Sequence, residues 1–204
     1  MPTFRQLVNN VITVTNRPDL LAETELAVRQ VILYYHHLDS FWRDKLTGVI
    51  SVSTGRAARH EVPISRFEGF RNAHSVAPYF AGNDTCAAPL KRMERMGQHE
   101  SEYWFLAGKT LVIKSATPTH QFQFTYWKNP TVAPEAAFDS WVADLYPDAV
   151  EDAACAKLFE MIRDSNEADR YRARVGKKAD GAGPATGHCA RILMEQLEQE
   201  IRSY

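Results

Sequence analysis

The chain has 204 residues, enough for one sizeable domain with a smaller second one. Its formal charge of −1 argues against an affinity built on neutralising nucleic-acid phosphates. No run of about 18 apolar residues offers a membrane span. The opening MPTFRQLVNN is polar and amphipathic, so a secretory leader is not expected. Cys86, Cys155 and Cys189 are odd in number and far apart, which predicts free thiols and reducing conditions.

In chain order, Thr3-Phe4-Arg5-Gln6 reads as a capping box. It opens a helix over 4–14 whose stripe is Phe4, Leu7, Val8, Val11 and Ile12. Asp19 is the expected cap of a second helix over 20–38. Its buried face is Val28, Val31, Ile32 and Tyr35, while Leu26 and Leu33 lie on another side and predict a second cover. From Val49 to Ser53 the pattern alternates as in a half-buried strand. Glu61–Ser65 is a second strand, confined to an edge by Pro63. Residues 67–89 are punctuated by Pro78, Gly82-Asn83-Asp84 and Pro89, predicting irregular structure with one short strand near 69–76. Leu90–Met96 reads as one or two helical turns.

Tyr103–Leu106 and Thr110–Ile113 flank Ala107-Gly108-Lys109 and predict a hairpin. A further strand, His120–Tyr126, alternates Phe122, Phe124 and Tyr126 with Gln121, Gln123 and Thr125. The longest helical signal follows, from Phe138 to Tyr171. Pro147 suits the first turn of its main helix. Val150, Ala153, Ala154, Leu158, Met161 and Ile162 are its predicted core face, and Ser165 the cap of a short helix after it. Gly176–Gly187 has a flexible linker's composition. The closing helix carries a stripe of Leu193, Leu197, Ile201 and Tyr204, which is the predicted partner interface. A helix of that length is marginal in water and must dock on something.

These elements predict an α+β fold. Residues 1–45 and 133–175 form an antiparallel helical bundle, and 46–132 an inserted antiparallel β-sheet region. Residues 176–204 form a linker and a C-terminal helical arm, expected to reach a partner chain.

Reactive residues do not assemble into a site. His36 and His37 are adjacent on a helix and cannot share a ligand face, so surface or interface histidines are expected. His188-Cys189 lacks further ligands at metal spacing. The glycine-rich 181–187 lacks GK[ST] and a preceding strand. Asp144, Asp148, Glu151 and Asp152 read as a solvated helix face. Tyr103, Trp104, Phe105, Phe122, Phe124, Tyr126 and Trp127 could stack on bases, but a sheet core accounts for them more simply. No catalytic, cofactor or metal site is predicted.

Three stretches carry a family resemblance. They are the opening TFRQLVNNVITVTNRPDLLAETELAVRQVILYYHHLDSFWRDKL, the run Tyr103–Asn129, and SWVADLYPDAVEDAACAKLFEMIRDSNEADRYRARV. Over about 1–175 the chain resembles the head-to-tail adaptor proteins of short-tailed and some long-tailed bacteriophages. The resemblance implies a non-enzymatic virion subunit, assembled in the bacterial cytoplasm into a ring of usually twelve copies. Such a ring sits between the portal protein and a tail or nozzle protein. Genomic DNA passes through it without sequence-specific binding. C-terminal segments of the family commonly reach into the portal. Two alternatives stand beside it: a tail-completion or neck protein at another ring level, and an enzyme with a site made of scattered residues.

Overall fold

The computed structural model describes residues 2–52, 59–80, 88–93, 102–116, 121–133, 135–178 and 184–202. The fold is mixed α+β, with six α-helices and two sheets among the described residues. The chain divides into two compact units, residues 1–43 with 130–204, and residues 44–129.

In the helical unit, α1 spans Phe4–Thr15 and α2 spans Leu21–His36. The capping box forms as expected: the Thr3 hydroxyl accepts from the Gln6 amide at 3.2 Å, and the Gln6 side chain accepts from the Thr3 amide at 2.8 Å. Asp19 does not cap α2. Its carboxylate is held by the Arg17 guanidinium at 2.7 Å, and a 3-10 turn at Pro18–Leu20 leads into the helix instead. Val28, Val31, Ile32 and Tyr35 are buried as predicted, and Leu26 stands exposed.

After the second unit come α3 (Trp141–Leu145), α4 (Pro147–Met161), α5 (Ser165–Val175) and α6 (Gly187–Arg202). The long helical signal is therefore three helices. Ser140 caps α3, Pro147 opens α4, and α5 is capped by Asp164, whose carboxylate accepts from the Glu167 amide, rather than by Ser165. Helix α4 is the centre of the unit and packs against α1, α2 and α5. It is buried on more than one face: Ala149, Cys155, Ala156 and Phe159 are buried beside the expected Val150, Ala153, Ala154 and Leu158. Small side chains allow this, because each alanine lets a neighbouring backbone come close. Met161, predicted for the core, is exposed at the helix end.

Among its described residues the β unit holds seven strands: β1 Lys45–Ser51, β2 Arg59–Pro63, β3 Phe70–Tyr79, β4 Lys91–Arg92, β5 Tyr103–Ala107, β6 Thr110–Lys114 and β7 Gln121–Lys128. They form two sheets, ordered β1-β7-β3 and β2-β6-β5-β4. Both sheets contribute to one core: Ile50, Val76, Phe122 and Phe124 from the first, Val62, Trp104, Leu111 and Ile113 from the second. The aromatics Trp104, Phe122, Phe124 and Tyr126 lie in that core, and the Trp104 indole donates to the Leu90 carbonyl at 3.2 Å. Gly108, at φ 58°, opens the two-residue turn of the β5–β6 hairpin.

One expected strand is longer than predicted and one expected helix is absent among the described residues. Residues 70–79 form the longest strand, running through Pro78. Proline is tolerated because β3 lies on a sheet edge, where one side of the backbone needs no ladder partner. Lys91–Arg92 is a strand parallel to β5, not the start of a helix. Its backbone is set by pairing with Tyr103 and Trp104, which its own sequence does not encode. The expected strand over 49–53 begins earlier, at Lys45, and Ser53 lies outside the described residues.

Candidate interaction surface

Helix α6 packs back onto its own unit. Gly176 and Gly187 take positive φ of 74° and 58°, a region costly to residues with a Cβ. A Cβ on Gly176 would strike the Thr186 backbone, and one on Gly187 the Arg174 carbonyl. Between them, the Lys177 amide donates to the Thr186 hydroxyl and the Thr186 amide to the Lys177 carbonyl, both at 3.0 Å. The ends of the glycine-rich segment are thus closed on each other, and the chain turns back onto α5. Residues 179–183 lie outside the described ones.

The inner face of α6 is Cys189, Ile192 and Gln196, all at most 2% exposed. This face joins the core of the helical unit, with Leu193 packed half-buried at its margin. Gln196 is the polar member, and its amide is satisfied at both ends. It accepts from Arg43 Nε at 2.9 Å and donates to the Tyr146 hydroxyl at 3.2 Å. Tyr146 donates in turn to Glu195 at 2.8 Å, and Arg43 reaches Gln199 at 2.6 Å. The Arg191 guanidinium lies over the Tyr146 ring, 5.3 Å from its centroid.

Charge continues this seam along α4. Arg191 meets Asp148 at 2.8 Å, and His188 meets Asp152 at 3.0 Å, with Arg174 also on Asp152 at 3.4 Å. The hydrogen bond from Arg191 holds the Asp148 carboxyl below the usual carboxylate range. Glu151 accepts from Asn10 at 2.7 Å. The carboxylates expected to form a solvated face therefore bind α6, α5 and α1. Asp144 differs, because burial raises its carboxyl above the ordinary value.

The outer face of α6 carries Met194, Leu197 and Ile201, exposed at 59%, 53% and 65%. Their spacing of three and four places them in one stripe. The predicted interface residues are thus divided. Leu193 turns to the core, Leu197 and Ile201 face outward, and Tyr204 lies outside the described residues. Met194 joins the outer stripe unpredicted. Cys189-Ile192-Gln196 was the signal for the inner face, masked because Gln196 is polar.

Elsewhere, reactive side chains serve packing. Of the two histidines expected at a surface or interface, His37 is exposed and His36 is buried: its Nε2 is 3.0 Å from the Ser140 hydroxyl and its ring meets the edge of Trp141. Burial pushes the Cys155 thiol up to about 12 and also raises that of Cys189, so both stay protonated at neutral pH. In the β unit, Ser51, Val52, Arg59, His60, Glu61, Val62 and Arg66 line an open depression of about 370 Å³. Arg59 is paired with Glu61 there at 2.9 Å. Among the described residues no group of three or more His, Cys, Asp or Glu is placed to hold a metal ion. No described helix is long and apolar enough to cross a membrane. No protein-family model matches the chain, and no curated protein matches its sequence.

Proposed function

We propose that the chain is a structural virion protein, a head-to-tail adaptor subunit that forms a ring between portal and tail. In this reading the helical unit is a bundle interrupted by the β unit, and the outer face of α6 meets the portal. The observation that carries it is the division of α6: one face is buried in its own subunit, and Met194, Leu197 and Ile201 remain exposed on the other. The resemblance of the three sequence stretches supplies the identity of the assembly, and the apolar stripe supplies a surface for it. Each contact is small. A fully covered Leu or Ile contributes about 1.5–3 kcal/mol, much of it offset by ordering. A ring of subunits presents many such stripes to one portal ring at high effective concentration, which makes weak single contacts sufficient. DNA slides through such a ring, and the formal charge of −1 suits a channel that must not hold it.

Negative-stain imaging of the purified protein, alone and mixed with the portal of the same virus, tests this. Rings stacked on the portal are expected. Leu197→Glu with Ile201→Glu should abolish stacking while the melting curve stays that of the wild type, since both side chains are exposed. Saturable turnover of a substrate, lost on a single substitution, would replace the proposal with an enzyme.

A further inference from the structure

The described sheets have four edges, and three of them are blunted. Strand β3 carries Pro78 and two register shifts against β7. Strand β2 ends at Pro63 and bears the charged Arg59 and Glu61. Strand β4 is two residues long and basic. Such features are how proteins keep sheet edges from pairing with other chains. Of these, strand β1 has only a lysine at its first position, Lys45. It is seven residues long, lacks proline, and matches β7 one to one from Lys45–Trp127 to Ser51–Gln121 without a shift. Its second edge has no strand partner among the described residues.

We infer that β1 is a pairing edge and that its partner is β1 of a second copy of this chain, antiparallel about a two-fold axis at Gly48. The strand, Lys-Leu-Thr-Gly-Val-Ile-Ser, is self-complementary about that glycine. Two-fold pairing sets Leu46 opposite Ile50, Thr47 opposite Val49, and Gly48 opposite itself. Leu46 and Ile50 share the face of Tyr126 and Phe122, their partners on β7, so apolar meets apolar on the core side. Thr47 and Val49 are both β-branched and meet on the other face, a favourable cross-strand pair. The two exposed apolar residues of the strand, Leu46 and Val49, are the ones the pairing covers. A side chain built at Gly48 would meet nothing within 4 Å among the described residues, so a cysteine is accommodated there. The product is a six-stranded sheet, β3-β7-β1-β1-β7-β3. This contact is isologous and closes on itself. It therefore describes the free protein and not a ring of uniform polarity, and it stands apart from the function proposed above.

Sedimentation of the full-length protein over a concentration series reads the pairing directly. A reversible rise from 23.1 kDa to twice that mass is expected. Val49→Lys places lysines diagonal to each other and to Lys45 across the axis, and should weaken association by about fivefold or more. Gly48→Cys, with Cys86 replaced by serine, should form a disulfide-linked dimer on mild oxidation, because directly opposed residues have suitable Cα separations. A wild-type protein that stays at monomer mass throughout overturns the proposal. So does a dimer unaffected by Val49→Lys that gives no Gly48→Cys cross-link, and so does a ring formed without that cross-link.

Discussion

Gln196 shows how much of the C-terminal helix rests on single polar groups. It is buried, and both ends of its amide are used, by Arg43 and by Tyr146. Gln196→Ala strands those two partners, and a loss of about 1–3 kcal/mol is expected in urea unfolding. Asp148 gives a pH signature. Its folded carboxyl is held low by Arg191, below an unfolded value of about 4. The resulting stabilisation is complete above that unfolded value and is lost as pH falls through the folded one. The pair is partly exposed, so the effect stays below about 1 kcal/mol. Asp148→Asn should shrink the difference in urea midpoint between pH 6 and pH 3, and an unchanged difference would show that other groups control acid unfolding. Neither residue was legible as important. Gln196 breaks the apolar stripe it belongs to, and Asp148 looked like one of many surface carboxylates until α6 lay across it.

At the scale of elements, legibility followed locality. The Thr3–Gln6 cap, the β5–β6 hairpin and the alternation of β7 depend on neighbours a few residues away, and each formed where the sequence predicts. Strand β4 and the passage of β3 through Pro78 depend on partners remote in sequence, and pattern alone missed them. The ends of the stretch 176–187 escaped for another reason. Its composition is that of a flexible linker, but Gly176 and Gly187 are used for their positive φ and for close backbone approach. Gly176→Ala and Gly187→Ala should each destabilise the protein by more than about 1 kcal/mol, read from thermal or urea melts. A neutral effect at both positions would mean that the closed loop does not anchor α6.

At the scale of the whole molecule, each unit has its own core. Phe4, Val28, Val150 and Ile192 belong to one, and Ile50, Trp104 and Phe124 to the other. The β unit also enters and leaves on paired strands, with Lys45 opposite Trp127. Replacing residues 44–129 by a short linker should therefore leave a helical protein that melts cooperatively. A molten or insoluble product would show that the helical unit needs the sheets. The division of α6 carries the same logic outward. Its inner face completes one core, while its outer stripe is free to meet another chain.

The proposal that this outer stripe seats a ring of subunits on a portal is tested most directly by native mass measurement of the protein mixed with its portal. The account predicts a discrete complex with equal numbers of the two chains. It also predicts that the double variant Leu197→Glu, Ile201→Glu stays unbound while melting like the wild type. A mixture in which portal and protein keep their separate masses would contradict it, as would a double variant that binds undiminished.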